Sequence, residues 1–161
     1  MSKKILSACL LSSALFIGCT NANEADVEAC EHLKEGPNSA VTATAATSGA
    51  PAVSNDHKRY DITLPASTGG NYVGSVSFAV SEASDYVLFL GSGVPVKVTS
   101  SAGQEVAFEE TATSSTECTE VKSRNVVPLQ VGSYTLTFGP TTQTTVSLVI
   151  EETSHEEEHE N

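Results

Sequence analysis

His155-Glu156-Glu157-Glu158-His159 is the densest chemistry in this 161-residue chain. Two imidazoles four residues apart, with a Glu after the first, formally satisfy His-Glu-x-x-His, in which both histidines bind zinc and the Glu serves as base. Here the segment has no apolar face to pack and no third ligand follows, so a metalloprotease is not expected. With Glu151, Glu152 and Glu160, the same residues crowd imidazoles and carboxylates into ten positions. Such donors suit zinc, nickel or copper(II). The reading is a low-affinity metal-binding tail with His155, His159, Glu156 and Glu158 as ligands. The alternative is an acidic tail that only solvates the chain end.

A second candidate is Glu28 with His32, one helical turn apart. His57 could join them if a cross-link draws the segments together. The alternative for His32 is a helix-end histidine satisfied by the helix dipole. Asp56-His57 is otherwise read as a solvent-facing loop, because a catalytic His would need a nucleophile brought in from elsewhere. There is no Gly-x-Ser-x-Gly elbow, no phosphate loop and no dinucleotide fingerprint, so the chain is not expected to be an enzyme.

The elements that must position these residues begin with the export signal. Lys3-Lys4 and the apolar run Ile5 to Ile17 have the layout of a secretory signal. The run is too short to span a bilayer, which takes roughly 20 residues. Leu15-Phe-Ile-Gly-Cys19 resembles the lipobox of a bacterial lipoprotein. That resemblance implies cleavage before Cys19, acylation of its thiol and of the new amine, and a membrane anchor formed by palmitate-type chains. Each buried methylene contributes about 0.8 kcal/mol, so three chains anchor practically permanently. Thr20 in place of Asp favours the outer membrane in a Gram-negative envelope.

Cleavage there removes two lysines and no acids. The remaining chain has 6 Lys and Arg against 20 Asp and Glu, a net charge near −14 compared with −12 for the full sequence. Nucleic acid and anionic lipid surfaces call for basic patches that this balance does not supply. Cations and basic partners are favoured instead. Of the four cysteines, Cys9 leaves with the signal and Cys19 carries lipid. Cys30 and Cys118 are read as one disulfide, as exported thiol pairs usually are. The alternative is a thiolate metal site with His32.

Asn23 to Glu35 reads as a short helix. Asn23 caps it, Glu24, Asp26 and Glu28 suit its first turns, and Val27, Cys30 and Leu33 form an apolar edge. Gly36-Pro37 stops it. Residues 38–55 are small and polar and read as a linker, with Val41 to Ala45 as a weak edge strand. Alternating apolar residues then mark strands at Tyr60–Leu64, Tyr72–Val80, Val94–Val98, Val106–Phe108, Val126–Val131, Tyr134–Phe138 and Val146–Ile150. Tyr86-Val-Leu-Phe-Leu90 reads as a central strand buried on both faces. Pro128 argues for an edge position.

The fold class is therefore all-β, a single antiparallel sandwich or jelly roll of seven to eight strands with a short N-terminal helix. Tyr60-Asp-Ile-Thr-Leu64, Asp85-Tyr-Val-Leu-Phe-Leu90 and Val131-Gly-Ser-Tyr-Thr-Leu-Thr-Phe138 resemble the bacterial pre-peptidase C-terminal domain over residues 57–151. The resemblance implies a non-catalytic accessory module. The chain divides into a signal peptide at 1–18, an anchored segment with helix and linker at 19–56, the sandwich at 57–151 and the acidic tail at 152–161. The expected function is a non-enzymatic envelope binding module, with a divalent metal through the tail as its possible ligand. The alternative is a structural lipoprotein with a protein or glycan partner.

Overall fold

The computed structural model describes residues 22–153. Cys19 and the tail residues His155, Glu156, Glu158 and His159 lie outside them. One helix, α1 (Ala22–Glu35), precedes eleven strands. They are β1 (Asn38–Thr42), β2 (Ala52–Val53), β3 (Arg59–Thr63), β4 (Tyr72–Val80), β5 (Ser84–Leu90), β6 (Val96–Ser100), β7 (Glu105–Val106), β8 (Glu110–Ala112), β9 (Ser123–Leu129), β10 (Gly132–Thr141) and β11 (Thr145–Glu152). They form a six-stranded sheet of order β1-β3-β11-β5-β9-β8 and a five-stranded sheet of order β2-β4-β10-β6-β7.

The pairing is antiparallel except at two edges, where β1 runs parallel to β3 and β2 parallel to β4. The segment read as a linker thus supplies one edge strand to each sheet. Its small residues pair through the backbone, which leaves no hydrophobic period to read. Between those strands Thr44 bridges Ser75, and Ala43 is buried. The segment straps the open side of the sandwich.

Between the sheets lies the main core, which includes Ile62, Val76, Phe78, Tyr86, Leu88, Leu136, Phe138 and Leu148. Phe78 and Tyr86 meet edge-on at 5.4 Å, a favoured aromatic geometry. Side chains alternate along a strand, so β5 sends Tyr86, Leu88 and Leu90 inward. Its other face carries Val87 and Phe89 into a second cluster with Ala25, Ala29, Cys30, Leu33, Val126 and Val149. Helix α1 covers this outer face, which explains the unbroken apolar run of β5.

The apolar edge of α1 differs from expectation. Val27 is 54% exposed, and the buried edge is Ala25, Ala29, Cys30 and Leu33. Steps of three alone drift around a helix of 3.6 residues per turn, whereas alternating steps of three and four stay on one face. The helix stops at Gly36, whose φ of +81° suits glycine. Its N–H donates to the His32 carbonyl at 3.0 Å. Val131 also departs from expectation, lying 67% exposed past the end of β9. Pro128 pairs in register with Asp85 of β5 and has no β8 partner, because β8 reaches only Arg124 to Val126. The proline therefore sits on an unpaired flank of a strand that is not an edge.

Candidate metal centre

Four ligand groups converge where α1 crosses β11: Glu28, His32, His57 and Glu151. Each offers one donor atom, and these atoms all lie within 4.8 Å of one another. Zinc bonds of about 2.0–2.2 Å bring tetrahedral ligands to roughly 3.3–3.6 Å apart, so a small inward adjustment closes the set.

The elements explain the convergence. Glu28 and His32 are one turn apart on α1, with Glu28 Oε1 3.9 Å from His32 Nε2. The other ring nitrogen, Nδ1, lies 3.2 Å from the Gly36 carbonyl and donates to it. This orients Nε2 toward the cluster, as outer hydrogen bonds orient metal-binding imidazoles. Glu151 follows Val149 on the outer face of β11, under the helix, and is only 3% exposed.

His57 comes from the loop between β2 and β3. It is the one non-glycine residue with positive φ among the described residues, at +54°. Such strain marks functional positions more often than chance. The loop is held on both sides of it. Tyr60 Oη donates to Asp56 Oδ1 at 2.9 Å, and Arg59 Nη1 donates to the Leu33 carbonyl at 2.8 Å, tying the loop to the end of α1. His57 Nδ1 then stands 2.8 Å from Glu28 Oε1 and 3.4 Å from Glu151 Oε2.

Burial, reinforced by the Glu28 charge, pushes the Glu151 carboxyl up to about 8. Its Oε1 is buried with no hydrogen-bond partner among the described residues, and the same holds for His32 Nε2. Buried polar atoms are rarely left so. Two orphaned lone-pair donors at one cluster are what a bound divalent ion would satisfy, and its charge would hold both carboxylates ionised.

Of the ligands expected from sequence, the structure brings together Glu28 and His32, and His57 joins them. Glu151, the last residue of the expected sandwich, is not among the ligands expected from sequence; it is a buried residue of the last strand. The alternation of Val146, Leu148 and Ile150 marks it as outward-facing, but nothing in the sequence shows which strand the helix covers. Cys30 and Cys118 are bonded, with Cα atoms 5.3 Å apart. The alternative thiolate site with His32 is therefore not formed.

No protein-family model matches this chain, and no curated protein matches it. Among solved structures it is similar to the pre-peptidase C-terminal domain of the collagenase from Bacillus anthracis. The likeness covers 71% of this chain and 97% of that domain, at 12% identity and a TM-score of 0.44.

Proposed function

We propose that this chain is a non-enzymatic, lipid-anchored module of the bacterial envelope. It holds a divalent transition-metal ion, zinc first, between Glu28, His32, His57 and Glu151. The observation that carries the reading is the meeting of these four side chains around two buried, unpartnered donor atoms.

Two imidazoles with two carboxylates favour zinc, nickel or copper(II) over magnesium and calcium, which prefer all-oxygen shells. Four protein ligands fill a tetrahedral zinc and leave no position for a reacting water, so the site suits holding rather than hydrolysis. His57 and Glu28 have side chains 64% and 43% exposed. That open side gives the ion a way in and out, which suits scavenging or buffering. The lipobox-like Cys19 supports placing the module on a membrane outside the cytoplasm.

The test is calorimetric titration of residues 20–161, which include the whole described fold, with zinc, nickel and copper(II). Micromolar or tighter zinc binding is expected. It should be lost in Glu151→Gln and His32→Ala and retained when residues 154–161 are deleted. Binding that vanishes with the tail and survives both substitutions would assign the metal to the tail and overturn this site.

A further inference from the structure

We infer that the Cys30–Cys118 disulfide controls this metal site, so that reduction of the bond releases the ion. The inference rests on the metal reading above and adds its regulation.

Cys30 lies midway between Glu28 and His32 on α1, and its partner Cys118 is 88 residues away, in the loop between β8 and β9. The cross-link therefore fastens to the body the same helix segment that carries two of the four ligands. Little else of apolar character does so. Among the described residues, the buried apolar side chains of α1 are Ala25, Ala29, Cys30 and Leu33. A 14-residue helix is marginal on its own in water. Once the bond is cut, docking rests on the burial of Ala25, Ala29 and Leu33, the Asp26 bonds to Arg124 and Ser115, the Lys34–Glu120 and Glu28–His57 pairs and the Arg59 contact with the Leu33 carbonyl.

The two halves of the site separate cleanly. Glu28 and His32 leave with α1, while His57 and Glu151 stay with the body. The main core between the sheets contains no α1 residue, so the sandwich can persist when the helix lifts. A four-ligand site would then become two two-ligand remnants.

The step needs a dithiol, such as an exported protein of the thioredoxin class. Its thiolate attacks one cysteine sulfur, the Cys30–Cys118 bond breaks and a mixed disulfide forms. The second thiolate of the dithiol displaces the remaining cysteine. Cys30 and Cys118 gain two electrons and two protons, and the dithiol leaves as a disulfide. Both cysteines are buried, so attack requires α1 and the loop between β8 and β9 to part. A bound ion that bridges helix and body resists that opening. At equilibrium linkage is reciprocal: whatever factor the disulfide adds to metal affinity, the metal adds to the equilibrium constant against reduction, while the rate of reduction reports how far the ion holds the helix shut.

The experiment uses residues 20–161 in three forms: wild type, Cys30→Ala/Cys118→Ala and Glu151→Gln. Zinc affinity is measured by competition with a chromogenic chelator. Reduction by a phosphine is followed by alkylation and mass spectrometry, with and without zinc. Far-UV circular dichroism confirms that the double variant keeps its strands. The expected result is a loss of zinc affinity of at least about tenfold in the double variant, since a long-range cross-link commonly contributes that much to docking. Zinc should slow reduction of the wild type severalfold and leave the reduction of Glu151→Gln unchanged. Should the double variant fail to fold, the reduction rates alone decide. A double variant that binds zinc within about twofold of wild type, or reduction indifferent to zinc, would overturn the linkage and leave the metal site standing. Failure of the oxidised wild type to bind zinc would instead defeat the metal reading, and this inference with it.

Discussion

Arg124 Nε donates to Asp26 Oδ1 at 2.8 Å across 98 residues of sequence, with the two side chains only 7% and 10% exposed. The Ser115 hydroxyl donates to the other Asp26 oxygen at 2.6 Å, and Arg124 Nη1 donates to Glu110 at 3.1 Å. The guanidinium also lies 5.8 Å from the Phe89 ring centre. A carboxylate on the first half of α1 is thus the counter-charge of a buried arginine on β9. Removing one member of such a pair strands the other. Asp26→Ala is expected to cost about 3 kcal/mol, the lower end of the usual range because Glu110 remains. Urea unfolding of the oxidised protein measures it, and a loss below about 1 kcal/mol would mean that Glu110 alone satisfies Arg124.

His57 separates metal binding from folding. Its left-handed backbone costs a non-glycine residue about 1 kcal/mol or more, and its side chain is 64% exposed. In His57→Gly the strain relief and the lost contact with Glu28 offset each other. The metal-free midpoint in urea should therefore stay within about 1 kcal/mol of wild type. Zinc affinity should fall at least tenfold, so the zinc-induced rise in thermal stability should shrink or vanish. A variant that keeps the full zinc-induced rise would remove His57 from the ligand set.

Glu151 gives the metal-free protein a pH dependence of defined sign. Its folded value is pushed up to about 8 from an ordinary 4.5. Below the lower value both folded and unfolded chains hold the proton. Between the two, the unfolded chain releases it and the folded chain keeps it, so stability falls as pH rises, by at most about 1.4 kcal/mol per unit. Above the upper value both are ionised and this slope ends. With chelator present, wild type should lose a few kcal/mol from this group between about pH 5 and 8. Glu151→Gln should lack that component. Zinc should abolish it by holding the carboxylate ionised and releasing its proton. Parallel urea-midpoint profiles for wild type and Glu151→Gln would show that the carboxyl ionises normally.

What the sequence discloses of this molecule follows from how local each feature is. Tyr86 to Leu90 is legible as a doubly buried strand because it contains no charged or small polar residue. That its two covers differ, sandwich core on one face and α1 on the other, is a tertiary fact with no local trace. Glu28 and His32 are legible through helical spacing alone. Glu151 is not, because its role depends on the strand across which α1 lies. Val27 misleads because equal steps of three imitate an apolar edge, while Ala25 and Ala29 are too small to announce the real one. Asp26 reads as a dipole-complementing acid near the helix start, and its partner Arg124 could not be found without the fold. Residues 38–55 look like a linker for the same reason that they work as a strap: their short side chains leave no hydrophobic period, while their backbone pairs at one edge of each sheet.

That strap yields the last prediction. Gly74 sits on β4 directly beneath it. A Cβ added there would lie 2.7 Å from Ala43 Cβ and 2.8 Å from Pro65 Cδ, closer than packed carbons tolerate. Neither neighbour is the free end of a flexible side chain. Ala43 is buried and held by its N–H donating to the Thr63 carbonyl at 2.9 Å, and next to it Thr44 and Ser75 exchange backbone hydrogen bonds at 3.1 and 2.8 Å. Gly74→Ala must push the strap off the sheet, so it should destabilise the protein by about 1–3 kcal/mol, the usual cost of overpacking. Pro65 and Leu64, outside the strap, also crowd the added Cβ at 2.8 and 3.2 Å, so the urea midpoint gives the total cost and a local measurement must assign it. Hydrogen exchange at the Ala43 and Thr44 amides gives a local readout, since both donate to backbone carbonyls only while the strap is seated. Faster exchange there, with the amides of β5 still protected, would place the strain in the strap.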